Sequence, residues 1–71
     1  MIENGSINAH QRRQRIVKQV QEFGEVRIAE LTQQFGVSDT AIRRDLNLLE
    51  RHGQVRRIHG GAVTIVRSLS G

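Results

Sequence analysis

The run Val37-Ser38-Asp39-Thr40-Ala41-Ile42-Arg43-Arg44-Asp45-Leu46-Asn47-Leu48-Leu49-Glu50-Arg51-His52-Gly53 decides the fold of this chain. Ser38 is a residue type that accepts from the free amides at a helix start, and Gly53 is one that ends a helix in the left-handed conformation. Between them Ile42, Leu46 and Leu49 recur at i, i+4 and i+7, which gives one apolar stripe. On a wheel of about 100° per residue with Ile42 inward, Thr40, Arg43, Arg44, Asn47 and Arg51 project from the outer half. Asp45 falls near the core edge of the same wheel and reads as an ion-pair partner for a nearby arginine.

Upstream, Ile28, Leu31 and Phe35 repeat at i, i+3 and i+7, predicting a shorter helix that Gly36 closes, with Val37 folded back on the preceding turn. A turn of about three residues then separates it from the helix that Ser38 caps, the spacing of a helix-turn-helix. Further upstream, Asn8 is placed to cap a first helix carrying Ile16, Val20 and Phe23 at helical spacing, with Val17 on its flank and Gly24 at its end. The short Val26-Arg27-Ile28 is β-favouring. Downstream, Gln54 to Ile58 and Ala62 to Val66 are β-favouring runs divided by His59-Gly60-Gly61, and the glycine pair is expected to supply the positive φ of a tight hairpin. Val55 and Ile58 read as its core-facing residues. Because a lone hairpin is marginal, it is expected to pair with residues 26–28.

The fold class that follows is α+β: a winged helix-turn-helix with three helices and a small two- or three-stranded antiparallel sheet. The expected domain is 8–66, with the helix-turn-helix at about 26–52 and the wing at about 54–66. Residues 1–7 read as a flexible arm and 67–71 as a tail or a linker to a further domain.

Composition narrows the function. With 71 residues the chain is one small domain, and without cysteine it has neither a disulfide framework nor a thiolate metal site. A reducing cytoplasm fits, and no apolar run reaches signal-peptide or membrane-span length. The formal charge of +4 is unevenly spread. Arg12, Arg13, Arg15 and Lys18 form a block without an acid; Glu22, Glu25, Glu30 and Asp39 outweigh Arg27 in the middle; from Arg43 onward six arginines face only Asp45 and Glu50. Such a distribution suits a polyanion. Arg12, Arg13 and Arg15 lie near the positive end of the first helix dipole, a conflict that an anionic partner such as a phosphate would remove, with simple solvation the equal alternative.

The pattern points to duplex DNA. An α-helix fits the major groove, arginine pairs bidentately with guanine N7 and O6, and asparagine pairs with adenine N6 and N7. Ser38, Asp39 and Thr40 stand at the helix start, the end that meets base edges in helix-turn-helix docking, while Arg43, Arg44, Asn47 and Arg51 continue the outer face, where Arg43 and Arg44 are equally suited to clamping phosphates. Arg56, Arg57, His59, Gly60 and Gly61 form a basic, glycine-tipped wing for flanking phosphates or the minor groove. No catalytic constellation, metal set or cofactor motif is present: His10, His52 and His59 are scattered, and there is no His-Glu-x-x-His, no phosphate-cradling glycine loop and no nucleophile elbow. With Phe23 and Phe35 the only aromatics, both at expected core positions, no stacking platform for single strands is expected.

The ordered pieces Val37-Ser38, Ile42-Arg43-Arg44-Asp45-Leu46, Leu49-Glu50, Gly53, Arg57 and His59-Gly60-Gly61-Ala62 make residues 12–62 resemble the N-terminal DNA-binding domain of the DeoR-type bacterial transcriptional regulators. The resemblance implies operator binding, usually as a repressor of sugar or nucleoside catabolic operons. It also implies release by a phosphorylated sugar bound to a separate C-terminal domain. On that expectation the chain is part of a longer homo-oligomeric regulator, and these residues are largely monomeric and bind no effector. Two positions depart from the family pattern: Ala41 replaces a common threonine before Ile-Arg-Arg, and Arg27 stands where a serine or threonine often caps the second helix. The competing readings are a winged-helix protein-interaction module and a small RNA-binding domain; an arginine-bearing outer helix face disfavours the first, and competition of duplex DNA against RNA separates the second.

Overall fold

The computed structural model describes residues 7–65. Helix α1 spans Ala9–Phe23, strand β1 Glu25–Arg27, helix α2 Ile28–Phe35, helix α3 Asp39–Arg51, strand β2 Arg56–Ile58 and strand β3 Gly61–Val63. The sheet order is β1-β3-β2, antiparallel throughout, with Val26 opposite Ala62 and Arg57 opposite Ala62 on the other side. The winged helix-turn-helix is therefore present with the three-stranded form of its sheet. The second wing strand, expected over 62–66, runs instead from Gly61 to Val63, with Thr64 and Ile65 outside it, and the first begins at Arg56 rather than Gln54. Val66, the tail 67–71 and residues 1–6 of the arm lie outside the described residues, while Ile7 is half-buried. No helix among the described residues is long and apolar enough to cross a membrane.

The local signals act as their chemistry requires. Asn8 Oδ1 accepts from the Gln11 amide at 2.8 Å, and the Gln11 side chain accepts from the Asn8 amide, a reciprocal capping box. Gly36 adopts φ +65° and lets the amides of Gly36 and Val37 both reach the Thr32 carbonyl, closing α2. Ser38 Oγ accepts from the Ala41 amide at 3.2 Å and starts α3. Arg27 gives α2 no side-chain cap. Instead the first amide of that helix, on Ile28, donates to the Gly60 carbonyl at the wing tip, so the wing satisfies a group that sequence-local chemistry leaves open.

Ile16, Val20, Val26, Ile28, Leu31, Ile42, Leu46, Leu49, Val55 and Ala62 form one core between the helices and the sheet, with Val17, Phe35 and Val37 packed at its edge. Three expectations are corrected. Phe23 is 72% exposed rather than in the core. It lies on the right stripe, but α1 ends with it and the chain turns away at Gly24, so no element among the described residues covers that end. Ile58 is 37% exposed, because strand alternation turns Arg57 inward and Arg56 and Ile58 outward, leaving Val55 alone as the core residue of that run. Finally, only Gly60 supplies positive φ to the hairpin, at +80°. Gly61 is the first residue of β3, buried, and its need is space: a Cβ there would overlap the Val26 carbonyl oxygen.

Candidate nucleic-acid interface

The outer half of α3 is built from residues that the inner half holds in place. Ile42, Leu46 and Leu49 are buried, so their helical neighbours Thr40, Arg43, Arg44, Asn47 and Arg51 are displayed, and these line a shallow surface depression together with Leu48. Ser38, Asp39 and Thr40 sit exposed at the start of the helix as expected, Ser38 with its hydroxyl committed to the cap. Arg43 and Asp39 stand 4.0 Å apart in an exposed i, i+4 pair, a weak restraint. Arg44, Arg51 and Arg56 have no carboxylate within ion-pair distance among the described residues. Their charge is available to an external anion.

On the wing, Arg56, His59 and Gly60 are exposed, and Arg57 is half-buried. Gly61 does not belong to the tip, being buried against β1. Arg57 faces α3: its backbone amide donates to Glu50 Oε2 at 3.0 Å, its guanidinium donates to Asn47 Oδ1, and its Nε lies 3.4 Å from the Gly61 carbonyl. The register explains the first of these bonds. β2 is an edge strand, and a carboxylate on the neighbouring helix takes an amide that the sheet leaves unpaired. Wing and α3 are thereby joined at two points one helical turn apart.

Behind the interface, Asp45 is 1% exposed and carries the charge that α1 answers. Arg12 donates to both its oxygens, through Nε to Oδ2 and through Nη2 to Oδ1 at 3.1 Å, and Arg13 Nη1 reaches Oδ1 at 3.2 Å. The hydrogen bond to Asp45 pushes the Arg12 pKa up, burial opposes it, and the Coulombic attraction of the same carboxylate adds to the rise. The anion that relieves the dipole conflict of Arg12 and Arg13 is thus a side chain of α3. This ionic clamp fixes α3 against α1 from its inner side while Arg44, the preceding residue, points outward.

The expectation that Asp45 pairs with an arginine is met, but its partners, 33 and 32 residues away, were not legible beforehand. Nor was Glu50 recognised as a contact between helix and wing; its only local signal was a polar residue one turn beyond Asn47. His10 and His52, far apart in sequence, line one groove of about 350 Å³ between the start of α1 and the end of α3.

With this geometry established, the comparisons with known proteins are specific. Residues 12–68 match the DeoR-like helix-turn-helix domain. A protein of Escherichia coli K12 named as a galactitol utilization operon repressor is 41% identical over 61 residues, covering 86% of this chain and 54% of that protein. A Bacillus subtilis protein named as an HTH-type transcriptional regulator is 44% identical over 55 residues, 78% of this chain and 21% of that protein. A lactose phosphotransferase system repressor of Staphylococcus aureus is 43% identical over 56 residues, 79% of this chain and 22% of that protein. The chain therefore spans about half the length of the first relative and about a fifth of the other two. No solved structure gives a significant match. The chain belongs to the DeoR-like helix-turn-helix family and is a DNA-binding domain of that kind.

Proposed function

We propose that this DeoR-like domain is the operator-binding part of a bacterial transcriptional regulator, a repressor of a carbohydrate or nucleoside catabolic operon. In this reading residues 8–66 are the DNA-binding domain, and 67–71 lead to a segment that senses a phosphorylated sugar. Helix α3 enters the major groove from Ser38 to Arg51, with Asp39 and Thr40 at base edges and Arg43, Arg44, Asn47 and Arg51 divided between bases and phosphates. The wing, through Arg56, Arg57, His59 and the backbone at Gly60, lies on the flanking phosphates or minor groove, with Gly61 setting the tip from beneath.

The observation that carries this is the exposed row Arg43, Arg44, Asn47 and Arg51 on a helix clamped from behind by Asp45, beside a basic wing tied to the same helix. A rigid helix presenting long donors suits groove readout, because positioning is settled before binding. The carbohydrate assignment draws on the galactitol and lactose of the relatives' names. An expressed segment of these residues is expected to be largely monomeric and blind to sugar phosphates, since the three helices turn their apolar stripes into the core and leave no long dimerisation helix among the described residues, and the exposed arginine face is no small-molecule pocket.

Selection of bound duplexes from a random DNA pool, with RNA of matching sequence as competitor, tests the reading. Enrichment of one sequence motif, outcompeted by DNA and not by RNA, is the expected result. Binding without sequence preference, or equal competition by RNA, overturns it. Sedimentation with and without candidate sugar phosphates tests the remainder: a tight dimer, or displacement from DNA by an effector, places oligomerisation or sensing within these residues.

A further inference from the structure

Asn47, on the outer face of α3, is a residue whose hydrogen-bonding character is not fixed by its type, since a side-chain amide offers a donor end and an acceptor end. Its partner removes the ambiguity. A guanidinium only donates, so the bond from Arg57 requires the oxygen of the Asn47 amide to face the wing and leaves Nδ2, the donor end, as the free one. Arg57 in turn extends from a strand whose amide is held by Glu50 at 3.0 Å, and its half-buried side chain is restrained by Nε, which lies 3.4 Å from the Gly61 carbonyl.

We propose that Arg57 is a specificity-determining positioning residue: by holding Asn47 Oδ1 it converts Asn47 into a donor-only reader of an acceptor edge, guanine N7 and O6, instead of the bidentate partner of adenine. The inference rests on the duplex-DNA reading above. Adenine recognition by an asparagine needs Oδ1 to accept from the N6 amino group while Nδ2 donates to N7. Oδ1 has a second lone pair, so the guanidinium does not block that approach sterically. It opposes it electrostatically, placing a positive group beside the partly positive amino hydrogens of adenine. The same cation next to Nδ2 produces a surface of donors alone, matching the guanine edge, which presents two acceptors in the major groove.

The test is base preference from duplex selection, read as a ratio so that a uniform loss of affinity leaves it unmoved. The wild-type chain is compared with Asn47→Ala, Arg57→Met and Asn47→Asp. Methionine keeps the length and apolar stem of the half-buried Arg57 without a donor. Asn47→Asp sits on an exposed site, keeps the bond from Arg57 and loses the Nδ2 donor, so it remains informative if Arg57→Met unfolds. Wild type is expected to prefer guanine at one position whose preference Asn47→Ala relaxes. Arg57→Met is expected to shift the adenine-to-guanine ratio at that position by about five-fold or more towards adenine. Asn47→Asp is expected to abolish the guanine preference while thermal unfolding stays near wild type. The proposal is overturned if Asn47→Ala leaves every position unchanged, if Arg57→Met lowers binding without moving the ratio, or if Asn47→Asp retains guanine. Should Arg43→Ala and Arg44→Ala still weaken binding in that case, the interface stands and the role of Arg57 alone falls; should they bind as wild type, the interface itself is misassigned.

Discussion

Arg44 and Asp45 are neighbours on α3, yet they belong to opposite economies of charge. On the inner side of the helix, Asp45 is sealed from water, and the side chains of Arg12 and Arg13, 12% and 25% exposed, converge on it. On the outer side, Arg44, Arg51 and the wing's Arg56 stand in solvent with no acid beside them among the described residues. The difference teaches that arginine count alone does not measure a nucleic-acid surface. Two members of the N-terminal basic block are consumed in holding α1 to α3, and the field left for an external polyanion comes from α3 and the wing.

The largest effect expected from breaking this contrast is at Asp45. Asp45→Ala leaves both α1 guanidiniums without their anion and should destabilise the domain by about 3 kcal/mol, the low end for a broken buried pair because each arginine keeps some solvent. Denaturant titration measures it, and a loss below about 0.5 kcal/mol would show that the pair is dispensable. Replacing Arg12 by methionine and Asp45 by leucine together is expected to recover part of the loss, because the desolvation cost disappears with the charges.

On the outer side the opposite separation should hold. Arg43→Ala or Arg44→Ala is expected to change unfolding stability by no more than about 0.5 kcal/mol, as for ordinary surface positions. Binding should nonetheless fall. A side chain reading a base costs about 1 to 3 kcal/mol at one operator position, while one on phosphate lowers the salt slope by about one unit for every sequence. Titrations across salt concentrations separate these. Salt sharpens the contrast further: DNA affinity should drop steeply with added salt, whereas the contribution of the buried Asp45 cluster to folding should hardly respond.

The smallest effect belongs to an arginine in neither setting. Arg27 makes an exposed pair with Glu25 at 3.1 Å and leaves the start of α2 without a side-chain cap. Because such a pair contributes little and a serine cap contributes about 1 kcal/mol, Arg27→Ser is expected to stabilise the domain slightly, by about 0.5 kcal/mol, visible as a small rise in thermal midpoint. A fall would assign Arg27 a contact beyond Glu25.

The elements were legible because their signals are local. Asn8, Ser38, Gly24 and Gly36 each act within a few residues of themselves, and the Ile42-Leu46-Leu49 stripe fixes which side of α3 faces the core. The exposure of the candidate site was legible to the same depth, since the side opposite that stripe has to be the displayed one. Phe23 was misread because periodicity gives the direction of a side chain but not whether anything lies over it. Ile58 was misread because a three-residue strand leaves its parity to the register with β3, which no pattern of so few residues specifies.

By itself, then, the sequence determined three helices, the turn between the second and third, a glycine hairpin and an arginine-bearing face, all consequences of backbone propensities and periodicities shorter than a helix. Tertiary structure alone decided which charges meet across elements. Asp45 finds Arg12 and Arg13 across 33 and 32 residues, and Asn47 and Glu50 find Arg57 across 10 and 7, because helix crossing and sheet register bring them together. Ion pairs and single hydrogen bonds depend on separations of a few ångströms, and that distance is set by the packing of the whole core, not by spacing along the chain.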